Sequence, residues 1–260
     1  MTSKQVQLTL VSLVLVLSGC SLFGPQRSPV LVSPYAEPRI VAVVPFLNES
    51  GTGVANGERV ADALTKHLDG AEGLVALPVN RVLAGLVALE TSRITSAGEA
   101  RALMRWLGAD QVIVGTITSY DPYDPPTIGL ALESYEEPVV TVGPVDLRDL
   151  TRAGTGTAAG SVSTGPAADD GATVSLSAVL DASDPRVRDA LKAYAVDRGP
   201  ADADPDAWLH HQRNMNLYIE FACHEMARRL LAAEAQRLGV TDAAAGSGRQ
   251  AWPALGAGRP

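Results

Sequence analysis

The stretch NESGTGVANGERV, Asn48 to Val60, has the residue types of a phosphate cradle. It follows the apolar run RIVAVVPF and leads into ADALTKHL, and a strand, a glycine-rich loop and a helix in that order aim backbone N–H groups at an anion. The spacing argues against a nucleotide site. Gly51, Gly53 and Gly57 put the third glycine one residue late for G-x-G-x-x-G, Asn56 standing in its place, and no Gly-Lys-Ser/Thr follows. His224-Glu225-Met226-Ala227-Arg228 likewise misses H-E-x-x-H, because a zinc site needs a second imidazole where Arg228 stands. His210 and His211, at the start of the same expected helix as His224, lie ~20 Å from it at 1.5 Å per residue, and read as polar helix-start residues rather than ligands. Cys223, among apolar neighbours, reads as a small buried hydrophobe. Asp181, Asp184 and Asp189 lack the glycine turn of a calcium loop and fit a helix cap before Arg186. With no Ser-His-Asp signature or catalytic carboxylate pair, the expectation is a protein that is not an enzyme, with no catalytic, cofactor-binding or metal-binding residue assigned.

One stretch does suit recognition. SYDPYDPP, Ser119 to Pro126, places Tyr120 and Tyr123 beside Asp121 and Asp124 in a proline-rich turn. Exposed aromatics on a rigid turn suit a protein-binding edge. Tyr120, Asp121, Tyr123 and Asp124 are therefore the candidate partner-binding residues, with simple turn chemistry as the alternative.

The ends of the chain supply an address. One cation, Lys4, precedes an apolar run from Leu8 to Leu17. That core is too short to span a bilayer, which takes ~20 helical residues, and reads as the centre of a secretory signal peptide over residues 1 to 19. Leu17-Ser18-Gly19-Cys20 resembles the bacterial lipobox. The resemblance implies a diacylglyceryl thioether on Cys20, usually a further acyl chain such as palmitate on its amine, and anchorage to the bilayer without a spanning helix. Ser21, rather than Asp, favours the outer membrane, with the protein facing the periplasm. With Cys20 committed to lipid, Cys223 has no partner for an intramolecular disulfide. Without residues 1 to 19 the chain holds 20 basic against 29 acidic residues, which gives no general footprint for nucleic acid.

Residues 20 to 38 carry four prolines and read as a tether. Residues 239 to 260, rich in Ala, Gly and Pro, read as a disordered tail. The span 39 to 238 is long enough for one domain with a sizeable core. Ile40 to Val44 is an apolar, β-branched run, as in a strand buried on both faces. Val60, Ala61, Leu64 and Leu68 fall on one helical face closed by Gly70 and Gly73. Leu74 to Leu77 is a short strand, and VNRVLAGLVAL a helix facing Val82, Leu83, Leu86 and Val87 inward. Ser96 and Glu99 have capping-box spacing before Leu103, Met104 and Leu107, and Gly108 stops that helix. Gln111 to Tyr120 and Thr127 to Tyr135 make a hairpin, residues 138 to 172 a loop-rich insertion, and Thr173 to Leu180 a returning strand. A helix near Arg186 to Val196 and a long one from Trp208 to Arg237 complete the chain, the latter with Leu217, Phe221, His224 or Met226, Leu230 and Leu231 inward. The order βαβααβββαα predicts an α/β fold, a mixed β-sheet flanked by helices with a long C-terminal helix.

This pattern resembles the amino-terminal domain of the TolB translocation protein and its relatives, the curli-secretion lipoprotein CsgG and the LpoB-type activators of penicillin-binding proteins. The residues that carry it are IVAVVPFLNESG, GERVADALTKHL, LVALPVNRVLAGL and AGEARALMRWLGADQVIVGTITSY, over residues 39 to 135. The resemblance implies a lipid-anchored periplasmic adaptor that binds another cell-envelope protein, a cell-wall synthase or a secretion component. A CsgG-like oligomeric secretion channel is the alternative, with membrane strands drawn from 138 to 172. No propeller repeats follow, so a whole TolB is excluded.

Overall fold

The computed structural model describes residues 30–137, 171–199 and 206–240. The signal segment, Cys20, residues 138–170 of the insertion and the tail from 241 lie outside the described residues. The strands are β1 (Arg39–Val43), β2 (Leu47–Asn48), β3 (Leu74–Leu77), β4 (Gln111–Asp121), β5 (Thr127–Glu136) and β6 (Val174–Asp181). The helices are α1 (Gly57–Asp69), α2 (Val79–Ala88), α3 (Ala97–Leu107), α4 (Pro185–Arg198), α5 (Trp208–Arg213) and α6 (Met215–Arg237). The strands form one mixed six-stranded sheet in the order β3-β1-β4-β5-β6, with β2 added to β4. β1 runs parallel to β3 and β4, while β4, β5 and β6 form an antiparallel meander. The α/β class with a C-terminal helix is thus the one the sequence predicts.

Alternation along the strands divides the core in two. Val41 and Val43 of β1 join Ile113, Ile117, Leu130 and Leu132 beneath α1 and α6, where Leu64, Tyr218, Phe221 and Met226 are buried. Ala42 and Val44 point the other way, with Val112 and Tyr135, to Leu86, Leu103 and Met104 of α2 and α3.

Local chemistry fixes the element ends. Asn56 caps α1 by accepting the Arg59 N–H, and Ser96 caps α3 by accepting the Glu99 N–H, each a contribution of about 1 kcal/mol. The Glu99 carboxylate reaches one residue past the usual capping box, to the N–H and hydroxyl of Thr95. Gly108 ends α3 at φ +67°, a left-handed conformation that glycine adopts without strain. Asp184 caps α4 by accepting the Arg186 N–H, as its sequence position suggests.

Two sequence expectations are corrected. Val87 is 77% exposed rather than inward, because the buried stripe of α2 runs through Val79, Val82 and Leu86 and leaves Val87 on the far side. The helix expected over Trp208 to Arg237 is two helices. Asn214, at φ −113° and ψ 106°, leaves the helical region and its side chain accepts the Asn216 N–H, so the chain ends α5 and starts α6 there. In α6 the buried stripe includes Tyr218, Phe221, Met226, Leu230 and Leu231, whereas Leu217 and His224 are only half-buried.

Candidate functional site

The break at Asn214 builds a cleft. It returns α5 against α4 and α6, where the Lys192 ammonium sits 4.9 Å over the Trp208 ring and the His211 ring meets Tyr194 at 5.8 Å. The last turn of α1 supplies Lys66 and His67, the end of α4 Tyr194 and Arg198, and α6 Glu220 and His224. Val30 and Leu31 form a lip. The volume of this open cleft is about 390 Å³. His211 and His224 thus share one cleft, in place of the separation along a continuous helix that the sequence suggests, while His210 remains exposed.

The rings are tightly arranged. His224 lies 5.3 Å from His67 and 5.2 Å from Tyr194, centroid to centroid. The Arg198 guanidinium stacks 3.9 Å over Tyr194 and donates from Nη2 to His224 Nδ1 at 3.2 Å. Glu220 Oε2 accepts from Lys66 Nζ at 3.0 Å and lies 3.4 Å from His67 Nε2. Burial pushes His67 down to about 4 although Glu220 opposes the shift. Burial, then Arg198 and His67, pushes His224 down to about 3, with Glu225 opposing and Arg228 assisting. Both imidazoles are therefore neutral near pH 7. Burial also takes the Tyr194 hydroxyl up to about 12. Cys223 is not a poised nucleophile: it is fully buried, its Sγ directed at the Val60 carbonyl 3.5 Å away, and burial raises its thiol pKa. Among the described residues no group of three His, Cys, Asp or Glu is arranged to hold a metal ion.

The glycine-rich loop uses its polar groups on itself. Asn48 donates to the carbonyls of Thr52 and Ala55 and accepts from the Ser50 N–H and hydroxyl. Gly57 is there for space: a Cβ would lie 1.9 Å from the Phe46 carbonyl oxygen. Across the sheet, the Phe46 ring fills the hollow left by Gly115, where a Cβ would meet it at 2.4 Å.

At the β4–β5 turn the four candidate residues separate by role. Tyr120 is half-buried, packs on the larger core, and has its hydroxyl pKa raised by burial. Asp121 accepts the Tyr123 N–H at 3.1 Å. Asp124 accepts from Gln212 of α5 at 2.8 Å, tying the turn to the helix pair. Tyr123 is left 79% exposed.

Lys66, His67, Tyr194, Arg198 and Glu220 are cleft residues that sequence reading misses; nothing in the α1 pattern distinguishes His67 from a helix-end histidine. Asn214 does carry a signal: Asn is a preferred cap, and Met215 and Tyr218 resume the apolar pattern after it.

No family model and no curated protein matches the chain. Among solved structures it is similar to the LpoB C-terminal domain from Salmonella enterica, at 15% identity over 42% of this chain and 76% of that one, with a TM-score of 0.31. The LpoB C-terminal domain from Escherichia coli gives 15% identity, 38% and 73% coverage and a TM-score of 0.30. The hypothetical protein CT253 from Chlamydia trachomatis gives 10% identity, 76% and 96% coverage and a TM-score of 0.35. At these scores nothing about function passes from them to this chain.

Proposed function

We propose that the chain is a lipid-anchored adaptor of the cell envelope, not an enzyme, and that it holds another envelope protein, a cell-wall synthase or secretion component, through the β4–β5 turn. The observation that carries this reading is Tyr123, the most exposed large apolar side chain among the described residues, on a turn braced by Asp121 and by the Gln212–Asp124 bond. A pre-set aromatic loses little entropy on binding and makes an effective anchor. The anchor itself is proposed from the signal segment and Cys20, and Ser21 supports an outer-membrane position facing the periplasm. No described helix is long and apolar enough to cross a membrane.

The test is a photo-crosslinking residue at position 123, with position 87 as a control of nearly equal exposure on another element. Capture of one envelope protein from 123 and not from 87 supports the adaptor. Equal capture from both positions, or none from 123, rejects the turn as the site.

The channel reading keeps one observation in its favour. The chain passes into residues 138–170 from β5 and returns from them to β6, neighbouring strands with Ser134 opposite Val174, which suits a hairpin extension. Light scattering of the lipidated protein, corrected for detergent, discriminates: a ring-sized mass supports the channel, whereas a monomer or dimer removes it.

A further inference from the structure

The cleft beside Tyr194 presents donors inward around one resident carboxylate. His67 is 9% exposed and its Nε2 has no hydrogen-bond partner, although Glu220 is near. Arg198 touches two neutral rings, Tyr194 and His224, and is paired with no carboxylate among the described residues. Lys66 has Glu220 as its partner. The buried nitrogen of His67 thus lacks a partner, and the exposed Arg198 guanidinium, which bonds His224 through Nη2, has further N–H donors at the same space; an oxyanion there would accept from both.

We infer that this cleft binds a phosphate group, with Arg198, Lys66 and His67 as its donors and Glu220 as the internal carboxylate that the phosphate displaces. A phosphate offers oxygens in several directions, which matches donors arriving from α1 and α4. The space left over, walled by Leu31 and Leu217, takes part of the molecule that bears the phosphate. Two sources share this chemistry: a soluble phosphate ester and a phospholipid headgroup. The lip at Val30 is ten residues from Cys20, a reach of ~35 Å when extended, so a headgroup is within range if Cys20 is lipidated. Phosphate arriving beside His67 and His224 also favours their protonated forms, so the site couples binding to proton uptake.

The experiment titrates inorganic phosphate into the full chain in detergent micelles and follows the imidazole nitrogen signals of His67 and His224. The expected result is a saturable shift with a Kd of about 1 mM. Arg198→Met, which keeps an apolar stem over Tyr194, weakens binding about tenfold through the lost charge-assisted bonds. Glu220→Gln tightens it several-fold, a direction that structural damage does not produce. Should Arg198→Met lower the melting temperature, Lys66→Met provides the loss-of-charge arm. Absence of a saturable shift in both the parent and Glu220→Gln, or weakening by Glu220→Gln, overturns the inference. Short-chain phosphatidylglycerol doped into the micelle, set against glycerol phosphate in solution, assigns the source to whichever saturates the signals at the lower concentration.

Discussion

The two faces of the sheet are covered unequally. On one, α1 and α6 bury most of the apolar side chains together with a polar set, Gln111, Ser134 and Glu234, tied by bonds from Gln111 Nε2 to Ser134 at 2.6 Å and to Glu234 at 3.2 Å. Arg237 donates to Glu234 at 2.7 Å and, with Arg39, to Glu136, which pins the end of α6 to the sheet. On the other face α2 and α3 cover a smaller apolar cluster at the β1 side. The outward rows of the meander stay open there: Thr118, Glu133, Ser175 and Ser177 are exposed and Val179 is 62% exposed. The polar network on the thick side fixes register, because each buried polar group has one set of partners that satisfies it. Among the described residues the thin side carries surface that nothing packs on.

That contrast can be broken most forcefully in the thick core. Phe221 is 1% exposed between Tyr218 and Tyr194, with ring centroids at 5.6 and 5.5 Å. Phe221→Ala should cost about 3 to 5 kcal/mol in urea unfolding, while Val87→Ala on the thin side should stay within ~0.5 kcal/mol. A comparable loss at both positions would mean that α2 carries more of the stability than its burial suggests.

Acid should weaken the thick side next. His67 and His224 are held near 4 and 3 in the fold, against an ordinary 6.5 when the chain unfolds. Between those limits the unfolded chain binds more protons, so the stability they contribute is full above pH 6.5 and falls as pH drops toward 4. The loss is on the order of 3 kcal/mol per imidazole by pH 4. Glu234 runs the opposite way: burial raises its pKa, so its contribution is present at acid pH and is lost as pH rises through that raised value. Denaturation midpoints at pH 7 and pH 5 should therefore converge in His67→Gln/His224→Gln. An unchanged pH slope in the double variant would assign the acid sensitivity elsewhere.

A smaller effect tests the joint between the Pro45-Phe46 loop and the sheet. Gly115→Ala places a methyl group 2.4 Å from the Phe46 ring and should destabilise by about 1 to 3 kcal/mol through overpacking. Phe46→Leu should recover part of that loss in the double variant, a coupling that independent sites do not show.

The fold was largely legible because its signals are local. Apolar runs marked β1, β3, β4, β5 and β6, Ser96 and Gly108 bracket α3, and Asp184 opens α4. The two-residue β2 was not, since it is held by pairing with Thr116 and Ile117 rather than by any run of its own. The sequence pattern points Val87 inward wrongly, because a ten-residue apolar helix offers more hydrophobic positions than its one contact face can bury. The cleft was illegible for a different reason. Its residues lie at 67, 194, 198, 211, 220 and 224, so no spacing marks them, and the break at Asn214 is what adds His211 to the others. The candidate turn is legible as a unit, but the irregular pairing between Ile117 and Ser119, ahead of Tyr120 on the same strand, has no mark in the composition.

The smallest effect on stability carries the most weight for function. Tyr123→Ser removes an exposed ring and Val179→Lys adds a charge to the open sheet, and each should alter stability by less than ~0.5 kcal/mol. Both surfaces are free among the described residues, so stability gives no reason to prefer either as the partner site. Capture does. A partner anchored on the braced turn loses affinity with Tyr123→Ser by about 2 kcal/mol, near thirtyfold, and tolerates Val179→Lys. A partner that pairs along the edge of β6, uncharged from Val174 to Leu180, or packs on its outer row, responds the other way, because a lysine there is the kind of gatekeeper that blocks strand addition. Pull-down affinities for the two variants, each with an unchanged melting temperature, would place the site on the turn or move it to the thin face of the sheet.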